Sequence, residues 1–209
     1  MTSPTTSATA NNSSAMLPAE GHHQAIRNFL AERAGDAVRL RLATELDAEF
    51  LLELRLDPSR NRNISSTSSD ISAQVSWMRA YAAREAAGQE AYFVIEVNGL
   101  PQGSLRLYDY RLSEDSFCWG SWIIRPGAPA STAYQSAILV YDLAFGPLCF
   151  ARSHFDVRQP NVSVWKFHEK MGARLVREDS TNRVYAYEAE HYRQARVRLQ
   201  KFTQQRDFR

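Results

Sequence analysis

QPNVSVWKFHEKMGARLV (159–176) is the stretch that decides the reading of this chain. Pro160 and Asn161 follow a short alternating run, and asparagine is among the best helix N-caps. The spacing after it predicts a helix over 161–173, closed by Gly172 at the position that favours left-handed backbone. RLVRE (174–178) then reads as a strand. Asn161 and His168 are seven residues apart, two helical turns, so they share a face, and Trp165 falls on it too. Asn161 reads first as a cap, and His168 as a half-buried helix histidine.

Upstream, SHFDVR (153–158) is a strand carrying Asp156. TAYQSAILVYDLAF (132–145) is helical until Gly146-Pro147 breaks it, and SFCWGSWII (116–124) is a strand. A helix between two strands predicts a parallel crossover there. YFVIEV (92–97) and SLRLYDY (104–110) flank an Asn98-Gly99 turn and read as a hairpin. VRLRLA (38–43) alternates as a half-buried strand. A helix follows with Phe50, Leu51, Leu54 and Leu56 on its apolar face, capped by Thr44 or Asp47 and stopped by Pro58. After a polar loop (60–70), a second helix carries Ile71, Val75, Met78 and Tyr81, is capped by Ser69 or Asp70, and ends at Gly88. Downstream, RVYAYEA (183–189) completes a last hairpin. A basic final helix follows it. The order β-α-α-β-β-β-α-β-α-β-β-α predicts a mixed α/β fold around one twisted sheet.

The ends differ from the body. Residues 1–19 are rich in Ser, Thr, Asn and Ala with no apolar period, a composition that cannot offset its ordering entropy. From His22 to Ala34 the spacing predicts a short amphipathic helix. The net charge of +2 divides into −1 over 1–36, −2 over 37–191 and +5 over 192–209. The basic excess is thus terminal, where a nucleic-acid binder shows it on the domain itself. No stretch approaches the ~18 apolar residues of a membrane span. Cys118 and Cys149 sit in apolar runs and read as buried thiols of a reducing, cytoplasmic compartment. The histidines are scattered, so no metal site is expected.

The same stretch resembles the late motif of the GNAT superfamily of acyl-CoA-dependent N-acetyltransferases. Asn161, Ser163 and Lys170-Met171-Gly172 match it, and His168 stands where the family often has a tyrosine. RLRLATELDAEFLLELR (39–55) looks like the family's opening strand and helix. Gln74 and Trp77 resemble the branch of ribosomal-protein N-terminal and amino-sugar acetyltransferases. The resemblance covers about residues 37–192, leaving 1–36 as an N-terminal extension and 193–209 as a basic C-terminal helix or tail.

It implies a mostly antiparallel sheet flanked by helices, with its fourth and fifth strands splayed. It implies acetyl-CoA as donor and a primary amine as acceptor: an amino sugar, nucleotide-linked or not, or a protein N-terminus. In the family, main chain of the splayed fourth strand holds the pantetheine arm, here Ser121, Trp122, Ile123 and Ile124, followed by Arg125. The pyrophosphate lies on a glycine-rich helix N-terminus. Here that loop is Ala130, Ser131, Thr132 and Ala133, with Ala130 and Thr132 at the glycine positions. By the same resemblance Asn161, Trp165 and His168 also touch the cofactor. His168 acts as acid if its pKa is raised, or as donor through its neutral N–H.

Asp156 is the candidate base, ahead of Asp109. The acceptor pocket is expected from Arg62, Asn63, Ser65 and Thr67 of the first interhelical loop, with Trp119 and with Tyr185 and Tyr187 of the last hairpin. Trp119 and Trp122 read equally as sheet core. Small-molecule or N-terminal amine partners and a homodimer are expected, with no nucleic acid and no membrane. Two rival readings remain: a catalytically silent module of the same fold, favoured by the altered loop, and a nucleic-acid or membrane-surface binder acting through the tail.

Overall fold

β2 (Ala91–Val97) is buried along its whole length, and the fold is organised around it. Alternation splits its side chains between two cores. Phe93 and Ile95 face the main core, while Tyr92 and Val94 pack with Leu51, Met78 and Tyr81 on the other side. The computed structural model describes residues 19–199. The low-complexity segment up to residue 18 and the last ten residues lie outside the described residues.

The chain runs through α1 (Ala19–Glu32), β1 (Val38–Leu42), α2 (Ala48–Leu56), α3 (Ile71–Ala86), β2 and β3 (Leu100–Arg111). It continues through β4 (Ser116–Ile124), α4 (Thr132–Phe145), β5 (Arg152–Arg158), α5 (Val162–Met171), β6 (Arg174–Glu178), β7 (Asn182–Glu188) and α6 (Ala189–Leu199). Seven strands form one sheet in the order β1-β2-β3-β4-β5-β7-β6. Every pairing is antiparallel except β4–β5, the predicted crossover.

Local chemistry explains the element ends. Asn98 and Gly99 both have positive φ, +50° and +78°, the conformation a two-residue hairpin turn demands. Asp47 accepts from the Thr44 N–H at 2.8 Å and takes both guanidinium arms of Arg41 at 2.7 and 2.8 Å. A 3-10 turn, Glu45–Asp47, therefore precedes α2. Buried Glu96 accepts from Arg39 and Arg41, 2.7 Å each. Asp70 caps α3 by accepting from the Ser72 N–H at 2.8 Å. The Tyr92 N–H donates to the Tyr81 hydroxyl at 2.8 Å, locking α3 onto β2.

Four expectations shift. α1 begins at Ala19 rather than His22, and Ile26 and Phe29 bury it in the main core. β3 begins at Leu100, because a register shift at Ile95/Glu96 absorbs an extra residue. The expected boundary at 192/193 falls inside α6, whose Ala195 and Leu199 join the core. Cys118 is buried as expected, but Cys149 is half-buried, on a turn at φ +59°.

Candidate active site

β4 and β5 pair only at Ser116↔Arg152 and Phe117↔Ser153. Beyond Phe117 the strands part, so the β5-facing edge of β4 has no strand partner. A bulge sharpens the divergence: β3 matches Arg106 to Gly120 and Ser104 to Ile123, leaving an extra residue on β4. Ser121 takes it up at φ +48°, and its carbonyl accepts from the Ser104 hydroxyl at 3.2 Å.

The opening is a cleft of about 300 Å³. Trp119, Gly120, Ser121 and Trp122 line it from β4, Asp156 from β5, and Asn161, Val164 and His168 from α5. Asn63 and Ser65 close it from the interhelical loop. Asp156 is exposed at this mouth and makes no hydrogen bond or ion pair with the described residues. Asp109, the other candidate base, is engaged by His154 and Arg111 at 2.9 Å each; those bonds hold its carboxyl below the usual range.

His168 is 5% exposed, and its Nδ1 has no hydrogen-bond partner. Rings surround it: Phe155 at 4.4 Å, Trp119 at 5.4 Å and Phe167 at 5.6 Å between centroids. Desolvation pushes its pKa down to about 3, the opposite of the raised value an acid role needs. The imidazole is neutral at physiological pH, and only its neutral N–H role survives.

Asn161 occupies the cap position, but its side chain makes no cap bond; its backbone carbonyl takes the Val164 and Trp165 N–H groups. The amide is left facing the cleft. Trp165 turns away: its indole N–H donates to the Gln159 carbonyl at 3.3 Å, and Arg183 lies 4.3 Å over its ring. Val164 takes the expected place.

Tyr185 and Tyr187 are buried rather than pocket-lining. Tyr187 is 0% exposed and donates to the Met171 carbonyl, and Tyr185 donates to Glu169 at 2.9 Å. Arg125 pairs with Glu53 at 2.7 Å, away from the cleft. Ile123 is core and Ile124 half-buried. Arg62 is exposed on a 3-10 turn, Asn61–Asn63, and lines neither cleft nor neighbouring cavity.

The α4 N-terminus carries the altered loop. Ala130 is exposed, and Ser131 and Ala133 are half-buried. Thr132 is fully buried with its hydroxyl oxygen unpartnered. The first-turn N–H groups of any helix lack intrahelical acceptors. Nearby, Trp122 donates to the Ser136 hydroxyl at 3.2 Å and packs on Phe167, which also meets Tyr134 at 4.8 Å.

A second cavity of about 330 Å³ adjoins the cleft, sharing Arg55, Ser65 and Ser121 with it. Thr67, Gln74, Trp77 and Arg106 are also part of its wall. Sequence reading missed Arg55 and Arg106. The one available signal was Arg55, a helical arginine with no acid three or four residues away.

The family model described as an acetyltransferase (GNAT) domain matches residues 37–174. Searching the curated proteins finds no match. Among solved structures, apo FdhC, described as a nucleotide-linked sugar GNAT, is 39% identical with TM-score 0.74, over 81% of this chain and 96% of that one. Mycobacterium smegmatis RimJ, solved with CoA-disulfide, is 20% identical with TM-score 0.66, over 78% and 88%. A spermidine N-acetyltransferase, SpeG from Vibrio cholerae, is 17% identical with TM-score 0.62, over 75% and 96%. The last two bear on the fold alone.

Proposed function

We propose that this chain, which belongs to the GNAT acetyltransferase family, transfers the acetyl group of acetyl-CoA to the primary amine of a sugar. The observation that carries this reading is the splay of β4 from β5, with the unengaged carboxylate of Asp156 at its mouth. The 39% identity to a nucleotide-linked sugar GNAT favours a sugar over a protein N-terminus.

The residues fit an acyl-CoA. The open edge of β4 beyond Phe117 offers main-chain donors and acceptors to a pantetheine amide. The α4 N-terminus offers main-chain donors to a pyrophosphate. Acetyl-CoA supplies an activated thioester. The chain's residues must do the remainder. Asp156 removes a proton from the acceptor ammonium, leaving a nucleophilic amine. A β4 backbone N–H polarises the thioester carbonyl. As the C–N bond forms and the C–S bond breaks, the second nitrogen proton passes to the leaving sulfur, so protons balance without an imidazolium. Asn161 and the neutral His168 orient groups in the cleft; the aromatic wall around His168 excludes water.

The non-glycine residues at 130 and 132 favour a second reading, a silent module of the same fold. Calorimetric titration with acetyl-CoA separates the two. Saturable binding, followed by thiol release on adding an amino sugar, supports the enzyme. A folded protein that binds no acetyl-CoA overturns it.

A further inference from the structure

The cavity beside the cleft carries more positive charge than its own carboxylates answer. Arg55 donates to the Thr67 hydroxyl at 2.5 Å and to the Ser65 carbonyl and hydroxyl at 3.2 Å, but to no carboxylate among the described residues. Arg106, which also lines the cavity, pairs with the buried carboxylate of Glu90, a residue outside the lining that Arg84 also engages. The Nε of Arg106 is buried without a partner. Two guanidiniums thus line the cavity and no carboxylate does, and Arg55 is left without a counter-charge among the described residues. Serine and threonine hydroxyls of the interhelical loop add neutral donors, and Trp77 adds an aromatic wall, 5.3 Å from the Arg106 guanidinium carbon.

We propose that this cavity binds a diphosphate carried by the amine acceptor, with Arg55 as its principal counter-charge. This rests on reading the adjoining cleft as the acetyl-transfer site. The cavity's volume, about 330 Å³, lies within the ~300–1,000 Å³ of small-molecule sites. Because Arg55, Ser65 and Ser121 line both spaces, one acceptor can reach through: its amine beside Asp156, its anionic end against Arg55. A planar fork with no acid partner suits two phosphate oxygens better than a lone ammonium-type donor would. The same surplus disfavours a polyamine. The acceptor class is therefore a nucleoside-diphosphate-linked amino sugar.

The test is calorimetry of the full chain with UDP, with uridine as the uncharged control, each with and without saturating CoA. UDP is expected to bind at least about tenfold more tightly than uridine. CoA is expected not to displace it. R55Q, which keeps hydrogen-bonding groups but loses the charge, should weaken UDP about tenfold or more. Absent UDP binding, displacement of UDP by CoA, or an R55Q affinity equal to the parent's overturns the proposal. If R55Q does not fold, the parent decides: UDP affinity must fall steeply with salt, and insensitivity to salt overturns it. The acetyl-CoA titration reads the transfer site separately, so its failure and the failure of this cavity are distinguishable.

Discussion

Replacing His168 by leucine should change how stability depends on pH more than it changes stability itself. The imidazole is held neutral inside a wall of rings, with a pKa near 3 in the folded chain against about 6.5 when unfolded. Its folded pKa is depressed, so its contribution is fully present above about pH 6.5 and drains away as pH falls towards 3, because the unfolded chain binds the proton that the folded chain refuses. At about pH 5 the unfolded form gains roughly 2 kcal/mol from that proton, some thirtyfold in the folding equilibrium. H168L has no such proton to bind. At about pH 7.5 it should match the parent or exceed it by ~1 kcal/mol, since the unpartnered Nδ1 is removed. At about pH 5 it should exceed the parent by roughly 2 kcal/mol more. Urea unfolding of both proteins at the two pH values, followed by circular dichroism, measures this. Parallel pH dependences in parent and variant would refute the desolvated, neutral imidazole and restore the case for a protonated His168.

Asp156→Asn should lower kcat on an amino-sugar acceptor by about 100-fold or more while leaving acetyl-CoA affinity unchanged, read by thiol release and calorimetry. Tyr187→Phe should cost about 1–2 kcal/mol in urea unfolding through the orphaned Met171 carbonyl, with no change in acceptor KM. Gly103→Ala places a methyl 2.4 Å from the Ile123 carbonyl and 3.2 Å from the Ile124 Cα, both backbone, so β4 must move; a loss of about 1–3 kcal/mol is expected on thermal unfolding. For Asp47, burial raises the carboxyl pKa but the Arg41 fork and Thr44 N–H more than offset it, leaving it lowered. Asp47→Asn should therefore cost about 2 kcal/mol at neutral pH, a difference that shrinks as acid protonates the parent's carboxylate.

Hydrophobic period and turn chemistry made the framework legible. A helix between two strands announced the parallel pair, and Asn98-Gly99 announced the hairpin. Side-chain direction was not legible to the same degree. On a helical wheel, residues 164 and 165 stand about 50° either side of the line midway between 161 and 168, so the wheel does not choose between them. Arg183, reaching from β7 over the Trp165 ring, makes the choice. Tyr185 and Tyr187 share one face of β7 by alternation, but nothing local says whether that face is core or cleft; contact with Tyr141 of α4 makes Tyr187 core. Arg55 of α2 and Arg106 of β3 are remote in sequence, so the cavity they line exists only once the tertiary fold brings those elements together. The bulge at Ser121 leaves no periodic trace, because one extra residue in nine looks like an ordinary strand.

The two-residue contact between β4 and β5 has a mechanical consequence. The seven strands behave as two plates, β1–β4 and β5-β7-β6, joined at one corner. Both plates share one hydrophobic core, and on the far side α6 also clasps α4: Asp142 accepts from Tyr192 at 2.5 Å and from Arg196 at 3.0 Å. The clasp acts as a tie-rod behind a hinge. Slackening it, as with Asp142→Ala, is expected to let the plates swing and widen the mouth at Asp156 without touching a residue that lines it. Amides of β4 beyond Phe117 would then exchange with deuterium faster, while those of β2 keep their protection.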